Sequence, residues 1–161
     1  MTGQVARRIV RRLRGSRGAT LVEAAIITPL LLLITFSIVD FGALFYVYLS
    51  LENGVSQATR YAVTGNAMND PSGAAMTRTD TIKAAMRQAT PTLTIPDNAF
   101  TFSHSTDGTA WASGVGGPNE IEKVRVDFTW RILTPVLRPF FTNGEIHFRV
   151  ESTMKNEGRF Q

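Results

Sequence analysis

Residues 24–39, AAIITPLLLLITFSIV, contain no charged side chain, and after Asp40 the uncharged stretch FGALFYVYLSL continues to Leu51. As an α-helix, the segment from Ala19 to Val39 would be about 31 Å long, which matches the hydrocarbon core of a bilayer. Its apolar residues surround the whole helix, and a chain of 161 residues is too short to bury such a helix by itself. The segment therefore predicts a membrane-spanning helix.

The charge of the chain is concentrated before this helix. Residues 1–18 contain six arginines and no acidic residue, whereas the remainder contains 11 basic and 13 acidic residues. The positive-inside rule predicts a single-pass protein with a cytoplasmic N-terminus and an extracytoplasmic C-terminal part. The arginines are not accompanied by aromatic or polar readout residues, so no nucleic-acid partner is expected.

The composition argues against an enzyme. Cysteine is absent and only His104 and His147 are present, which excludes disulfides, thiol chemistry and a site of three histidines from one chain. His147 alternates onto the polar face of a predicted strand, and His104 lies too close in sequence to Ser105 and Asp107 for triad geometry. The acids Asp107, Glu120 and Glu122 lack the spacing of a calcium loop. We expect no catalytic residue, no metal and no cofactor.

A short motif lies at the start of the apolar helix. Residues 15–23 read GSRGATLVE, so that Gly18 follows the basic segment and Glu23 lies just inside the apolar run. A carboxylate costs free energy in a membrane span, and Pro29 removes a helix hydrogen bond and favours a kink. The apolar run is too long for a secretory signal peptide, which leaves a membrane anchor or a specialised processing signal.

This motif resembles the prepilin signal, and residues 17–65 as a whole resemble the TadE-like family of tight-adherence (Flp) pilus proteins. The resemblance rests on Val22-Glu23, Pro29 to Leu32, Asp40 to Gly42, and Ala58 to Ala62. It implies that a prepilin peptidase cuts between Gly18 and Ala19 and leaves Glu23 as the fifth mature residue. It also implies a minor pilin or pseudopilin of a type IV-like pilus system.

Cleavage would give Ala19 a new amine that is mostly protonated near neutral pH. That amine could neutralise Glu23 of a neighbouring subunit when both leave the lipid, because a buried carboxylate is costly unless it is paired. Ala19 and Glu23 are therefore predicted to set the assembly register.

After Asp40 the helix changes to one apolar stripe, which is expected to pack on a head domain. The stripe residues recur at intervals of three and four, and Gly65 is a stop signal, so that the helix covers residues 19–65. The stripe consists of Leu44, Val47, Leu51, Val55, Ala58 and Ala62.

Residues 66–161 predict an α+β, pilin-like head with an antiparallel sheet packed on the helix. A loop covers residues 66–80, and Thr79-Asp80 is expected to cap a short helix from Thr81 to Ala89. Period-two alternation then predicts strands around residues 100–102, 124–132 and 146–150, without the inward-facing polar cluster beneath a concave pocket that an enzyme would need. Packing or contact candidates are Trp111, Trp130, Val136, Leu137, Phe140 and Phe141.

Two functions remain open. The first is a leader-cleaved pilin subunit whose partners are the prepilin peptidase, other pilin-like subunits, the assembly machinery and membrane lipid. The second is an uncleaved single-pass protein with an extracytoplasmic binding domain. Gly18→Leu should accumulate the longer precursor in the first case and change nothing in the second.

Overall fold

The computed structural model describes the backbone of residues 2–158 and the side chains of residues 18–158. The chain has the α+β architecture predicted from the sequence, with a long N-terminal helix and a four-stranded antiparallel sheet. The elements are α1 (Thr2–Thr64), α2 (Arg78–Ala89), β1 (Phe100–Ser105), β2 (Ala112–Ser113), β3 (Ile121–Arg131) and β4 (Glu145–Lys155).

Helix α1 has 63 residues and includes the backbone of the predicted leader, so it begins at Thr2 rather than at Ala19. The predicted leader contains no proline, and its glycines lower helix stability without preventing a helix. The helix runs through Pro29 as one element, and the kink predicted there stays a prediction. It ends where predicted: Gly65 has φ 67° and its N–H donates to the carbonyl of Ala62 at 3.2 Å.

Helix α2 begins three residues earlier than the sequence suggested. Its N-cap is Thr77 and not Thr79. The Thr77 Oγ1 accepts from the N–H of Asp80 at 3.2 Å and donates to the carboxylate of Asp80 at 2.6 Å. The Thr77 side chain therefore caps the helix by accepting from the N–H of Asp80, a helix donor that would otherwise have no partner.

Helices α1 and α2 approach each other closely at Gly54. A Cβ atom at this position would lie 2.5 Å from Cγ2 of Thr90 and 3.3 Å from Cγ of Met86. Real Cβ contacts are longer than the first of these distances, so any side chain here would push the helices apart. Gly54 therefore sets the separation between the two helices.

The sheet has the strand order β2-β1-β3-β4, and all neighbouring strands are antiparallel. Strands β3 and β4 pair along their whole length, from Ile121 opposite Lys155 to Arg131 opposite Glu145. The inner face of the sheet packs on α1, where the alternating apolar residues of the strands meet the helix stripe. The buried cluster includes Val47, Leu51, Val55, Ala58, Ala62, Ile82, Met86, Val124, Val126 and Val150.

Candidate membrane helix and its junction with the head domain

The first described part of α1 projects away from the head domain with its apolar side chains exposed. Leu21 is 71% exposed, Ile26 is 70% exposed, and none of the most apolar stretch is buried. Exposed apolar surface of this extent is unfavourable in water, at about 25 cal/mol per Å². By length and composition the segment can cross a membrane, which fits a membrane anchor near the N-terminus.

The residues of the predicted processing signal all lie on this projecting segment. Gly18, Ala19, Glu23 and Pro29 are exposed. Residues 19 and 23 are four apart on one continuous helix, so they lie on the same face about one turn apart. A Cβ atom at Gly18 would have no described heavy atom within 4 Å, so packing within the described chain does not require glycine here. The six arginines of the leader lie outside the residues whose side chains are described.

The second half of α1 forms the contact with the head. Val47, Leu51, Val55, Ala58 and Ala62 of the predicted stripe are at most 2% exposed, whereas Leu44 is only half-buried. Gly54 and Thr59 are buried on the same side of the helix. The buried hydroxyl of Thr59 has a hydrogen-bond partner within the helix, because it donates to the carbonyl of Val55 at 2.7 Å. The stripe thus holds α1 against both α2 and the sheet.

Asp40 ties the start of this contact region to the head. It is 7% exposed, and its Oδ1 accepts a hydrogen bond from the N–H of Leu133 at 2.8 Å. Its Oδ2 accepts from the N–H of Thr134 at 3.3 Å and from the hydroxyl of Thr134. Charge-assisted bonds of this kind are stronger than neutral ones. The Asp40 contact thereby fastens the β3–β4 connection, residues 132–144, to α1 where the uncharged run ends.

A buried polar cluster lies at the opposite end of the contact region. Arg78 donates to the carbonyl of Ala62 at 3.0 Å and also to the carbonyl of Gly116. Its guanidinium lies 3.5 Å from the carboxylate of Glu122, which is fully buried and also accepts from the N–H of Gly116 at 2.6 Å. The last turn of α1 is therefore bound to α2 and β3 through one arginine.

Burial dominates the electrostatics of this pair. Desolvation raises the pKa of Glu122 above its ordinary value, against the opposing effects of the Gly116 N–H and the Arg78 charge. Desolvation likewise lowers the pKa of Arg78, while the carboxylates of Glu122 and Glu120 oppose this shift. Oε1 of Glu122 has no hydrogen-bond partner among the described residues. Burial of the Arg78–Glu122 pair therefore costs desolvation free energy.

The strand alternation did not predict the polar side chains that face inward around Glu122. Glu122 lies on the same face of β3 as Val124 and Val126, and His104 lies opposite it on β1. The cluster nevertheless has structural partners: the ring Nδ1 of His104 lies 3.1 Å from the carbonyl of Gly114, and the guanidinium of Arg78 lies 3.5 Å from the carboxylate of Glu122.

The other residues considered as a site are not brought together. Asp107 accepts from the backbone and hydroxyl of Thr109 within its own turn, and these bonds lower its pKa. Glu120 accepts from the N–H of Gly117 at 2.5 Å. His147 is exposed and lies 3.0 Å from the hydroxyl of Thr129. Within the part of the chain that the structure describes, no three acidic or histidine side chains form a possible metal site.

The structure also locates the packing and contact candidates of the head. Trp130 is half-buried against the core, whereas Trp111 is exposed with the ammonium of Lys123 3.8 Å from its ring centre. Leu137 is buried and Phe141 half-buried, but Val136 and Phe140 are exposed. The β3–β4 connection thus contributes only part of its apolar surface to the core.

Sequence reasoning missed the roles of Asp40, Gly54 and Glu122. Asp40 was noted as a charge after the span and as part of the family resemblance, but not as a contact to the head, although a lone acid between two uncharged runs signals a need for hydrogen-bond donors. Gly54 lies between the stripe residues Leu51 and Val55, and a glycine inside a helical pattern often has a packing reason. Extending the β3 alternation back by one step would have placed Glu122 on the inner face.

Comparison with known proteins supports the resemblance seen in the sequence. Residues 18–60 match the family model described as TadE-like protein. The matched region begins at Gly18 and includes Glu23, Asp40 and most of the buried stripe, which confirms a TadE-like segment at this place in the chain. No curated protein and no solved structure matches the chain at a significant level.

Proposed function

We propose that the chain is a minor pilin or pseudopilin of a Tad/Flp, type IV-like pilus system. The TadE-like segment supports involvement in such a system and contact with its other components. The observation that carries the proposal is that this segment is an exposed apolar helix with Gly18 and Glu23 at its N-terminal end. A helix that is apolar on all sides can pass from lipid to a bundle of similar helices without exposing that surface to water. The role is structural rather than enzymatic.

In this proposal α1 first anchors the protein in the inner membrane. The six arginines of the leader hold the N-terminus in the cytoplasm, and the head projects outside. A prepilin peptidase then cuts between Gly18 and Ala19. Glycine lowers helix stability by about 0.5–1 kcal/mol relative to alanine, so Gly18 favours the local unwinding that a peptidase needs.

Cleavage leaves a protonated amine on Ala19 at the edge of the membrane. We infer that this amine pairs with Glu23 of a neighbouring subunit as the helices leave the lipid. The geometry of one chain supports this pairing between subunits, because residues 19 and 23 lie on the same face of an exposed helix. Correct axial register would place each amine beside a carboxylate, whereas a shifted register would leave both groups unpaired. Pro29 would shape the packing helix.

The mature N-terminus tests the proposal directly. Mass spectrometry of the protein from cells with an active prepilin peptidase should find Ala19 as the first residue. Gly18→Leu should accumulate the full-length precursor, because a branched side chain replaces the small residue at the cleavage position. Gly42→Leu is the matched control on the same helix, since a Cβ atom there would also have no described neighbour within 4 Å. It should be cleaved normally. An intact leader in wild-type protein would contradict the proposal.

A second candidate is an uncleaved, single-pass membrane protein whose head binds components of the machinery or the cell envelope. The specific observation in its favour is that α1 is helical on both sides of the Gly18–Ala19 bond, whereas peptidases generally need an extended substrate. In this case Gly18→Leu should change neither the length of the protein nor its function.

A further inference from the structure

The β3–β4 connection carries an exposed apolar surface. Leu133 and Val136 are 50% exposed and Phe140 is 70% exposed, although all three occur within eight residues of one another. Single exposed apolar side chains are common on protein surfaces, but a cluster of this kind marks an interaction site. Their neighbour Leu137 is buried, which holds the connection in a defined position on the head.

This surface lies beside α1 where the membrane-spanning segment ends. Asp40, the first charge after the uncharged run, binds the N–H groups of Leu133 and Thr134. A small apolar cavity contains Phe41 and Leu44 of α1 together with Leu137 and Phe141 of the connection. The connection therefore follows the surface of the helix through the first turn beyond the span.

The helix contributes exposed aromatic residues at the same level. Phe41 is 49% exposed and Phe45 is 62% exposed. Phe41 comes one residue after Asp40, so the two differ in height by about 1.5 Å along the helix axis. We call the exposed apolar surface formed at this level the apolar collar; its residues are Phe41, Phe45, Leu133, Val136 and Phe140.

The charge of the connection suits a lipid surface. Residues 132–144 contain no acidic residue, and their one charged residue is Arg138. The guanidinium of Arg138 donates to the carbonyls of Ile132 and Leu133, so it lies next to the collar. A cation beside exposed apolar side chains is the arrangement found where proteins meet the head groups and upper acyl chains of a bilayer.

We propose that the apolar collar inserts into the interface of the membrane that α1 spans, on its extracytoplasmic side. The proposal rests on α1 being a membrane anchor, and it adds a second membrane contact through the head. A lipid surface is the partner of the collar because the collar continues the apolar surface of the span. The charged residue between them, Asp40, is buried. The head would then stand directly on the bilayer, with the Arg78–Glu122 cluster at its distal end.

The absence of cysteine allows this contact to be measured at single positions. Val136→Cys and Phe140→Cys, each in the full chain, are labelled with an environment-sensitive nitrobenzoxadiazole dye. The proteins are reconstituted into phosphatidylcholine vesicles containing a minority of phosphatidylglycerol. Doxyl-labelled lipids, with the quencher near the head group or in the middle of the acyl chain, then report the depth of the dye. Thr106→Cys, in an exposed loop near the Glu122 end of the sheet, is the aqueous control.

The collar proposal expects strong quenching at residues 136 and 140 by the quencher near the head group. The fluorescence at both positions should fall at least about twofold, consistent with insertion of about 5–10 Å below the surface. Dye at residue 106 should be quenched only by aqueous iodide. Accessibility of both collar positions to iodide in vesicles would overturn the proposal, as would protection that appears only after other pilus subunits are added.

A fourth position separates this proposal from the membrane anchor itself. Ile34 is exposed in the apolar part of α1, and dye on Ile34→Cys should be quenched by the mid-chain quencher. Quenching at residue 34 without quenching at 136 and 140 would reject the collar but retain the anchor. No quenching at residue 34 would reject the anchor, and with it both proposals.

Discussion

Asp40 and Thr134 are 94 residues apart in sequence and are joined through both the backbone N–H and the hydroxyl of Thr134. Asp40 is 7% exposed, so these donors replace most of the hydration of its carboxylate. A buried carboxylate needs such partners, because desolvation without them costs several kcal/mol. The contact therefore makes the position of the β3–β4 connection depend on one side chain of α1.

Asp40→Ala should loosen the junction between helix and head. The N–H groups of Leu133 and Thr134 would lose their acceptor, which costs about 1–3 kcal/mol of stability for a buried group. Hydrogen exchange of the full chain in detergent should become faster across residues 132–144, while the amides of α2 keep their protection.

Asp127→Ala is a suitable control for that experiment. Asp127 pairs with Arg149 at 2.7 Å on the outer face of the sheet, where both side chains are well exposed. Exposed pairs contribute about 0–1 kcal/mol, so this change should leave exchange at residues 132–144 unaltered. Equal exchange in the Asp40→Ala variant and the wild type would contradict the importance of the Asp40 contact.

The long-range part of this junction could not be read from the sequence. The stripe on α1 was predictable because a period near 3.6 reports which side of a helix is buried. No local pattern reports which of many backbone N–H groups, some 90 residues away, will meet Asp40. The sequence also did not show that Val136 and Phe140 lie outside the core. An apolar residue in an irregular connection has no periodicity to indicate whether its side chain is buried or exposed.

Gly54→Ala should destabilise the head by separating α1 from α2. The new Cβ atom would lie 2.5 Å from Cγ2 of Thr90, which is buried and bonded to the carbonyl of Met86. Overpacking of this kind costs about 1–3 kcal/mol, more than the gain of about 0.5–1 kcal/mol from better helix propensity. Thermal unfolding of the full chain in detergent measures the difference.

Gly42→Ala provides the comparison on the same helix. No described heavy atom lies within 4 Å of a Cβ at this position, so only the helix propensity changes. The variant should be as stable as the wild type or slightly more stable. The close-approach interpretation of Gly54 fails if the two alanine variants unfold at the same temperature.

Arg78→Met should make the stability of the head strongly dependent on pH. Burial already raises the pKa of Glu122 above 4.5, and removal of the arginine charge would raise it further. The folded state then binds the proton more tightly than the unfolded chain, so stability falls as the pH rises through the folded pKa. We expect a loss of about 3–5 kcal/mol at about pH 8 and a smaller loss, about 2 kcal/mol from the missing hydrogen bonds, at about pH 4.

The double variant Arg78→Met, Glu122→Gln isolates the charge effect. Glutamine keeps an acceptor for the N–H of Gly116 but does not titrate. The pH-dependent part of the loss should disappear, while a loss of about 1 kcal/mol remains from each hydrogen bond that Arg78 makes to Ala62 and Gly116. A pH slope that persists in the double variant would assign the effect to another group.

Glu23→Gln tests the assembly register separately from membrane insertion. The variant should remain in the membrane with a folded head, because Glu23 is exposed on α1 and far from the core. Its incorporation among neighbouring subunits should fall at least about tenfold, since breaking a buried ion pair costs about 3–5 kcal/mol. A photo-cross-linker at the exposed Phe45 reports neighbouring subunits, and Glu52→Gln on the same helix is the control. Unchanged cross-linking in the Glu23 variant would remove Glu23 from the proposed register.

Two features of the head, the N-cap of α2 and the inward position of Glu122, follow patterns that are present in the sequence but were assigned incorrectly. The sequence Thr77-x-x-Asp80 is a capping-box pattern, yet Thr79-Asp80 was the expected cap because both residue types favour that position. The β3 alternation was started at Val124, which excluded Glu122 by one step. A buried acid contradicts the usual binary pattern, and its partner Arg78 lies on another element, so only the folded chain explains it.

The contacts at Asp40 and Ala62 have a consequence for the direction in which the head faces. They attach the head to α1 at two points that are about 33 Å apart along the helix axis, so the head cannot rotate about α1. Each residue of an α-helix advances the helix by about 100° around its axis. One residue inserted between Glu23 and Asp40 would therefore rotate the head by about 100° relative to the Glu23 face. The number of residues between those two acids thus sets the angle between the Glu23 face and the head, and in a subunit that assembles as proposed it would determine the side on which the head is displayed.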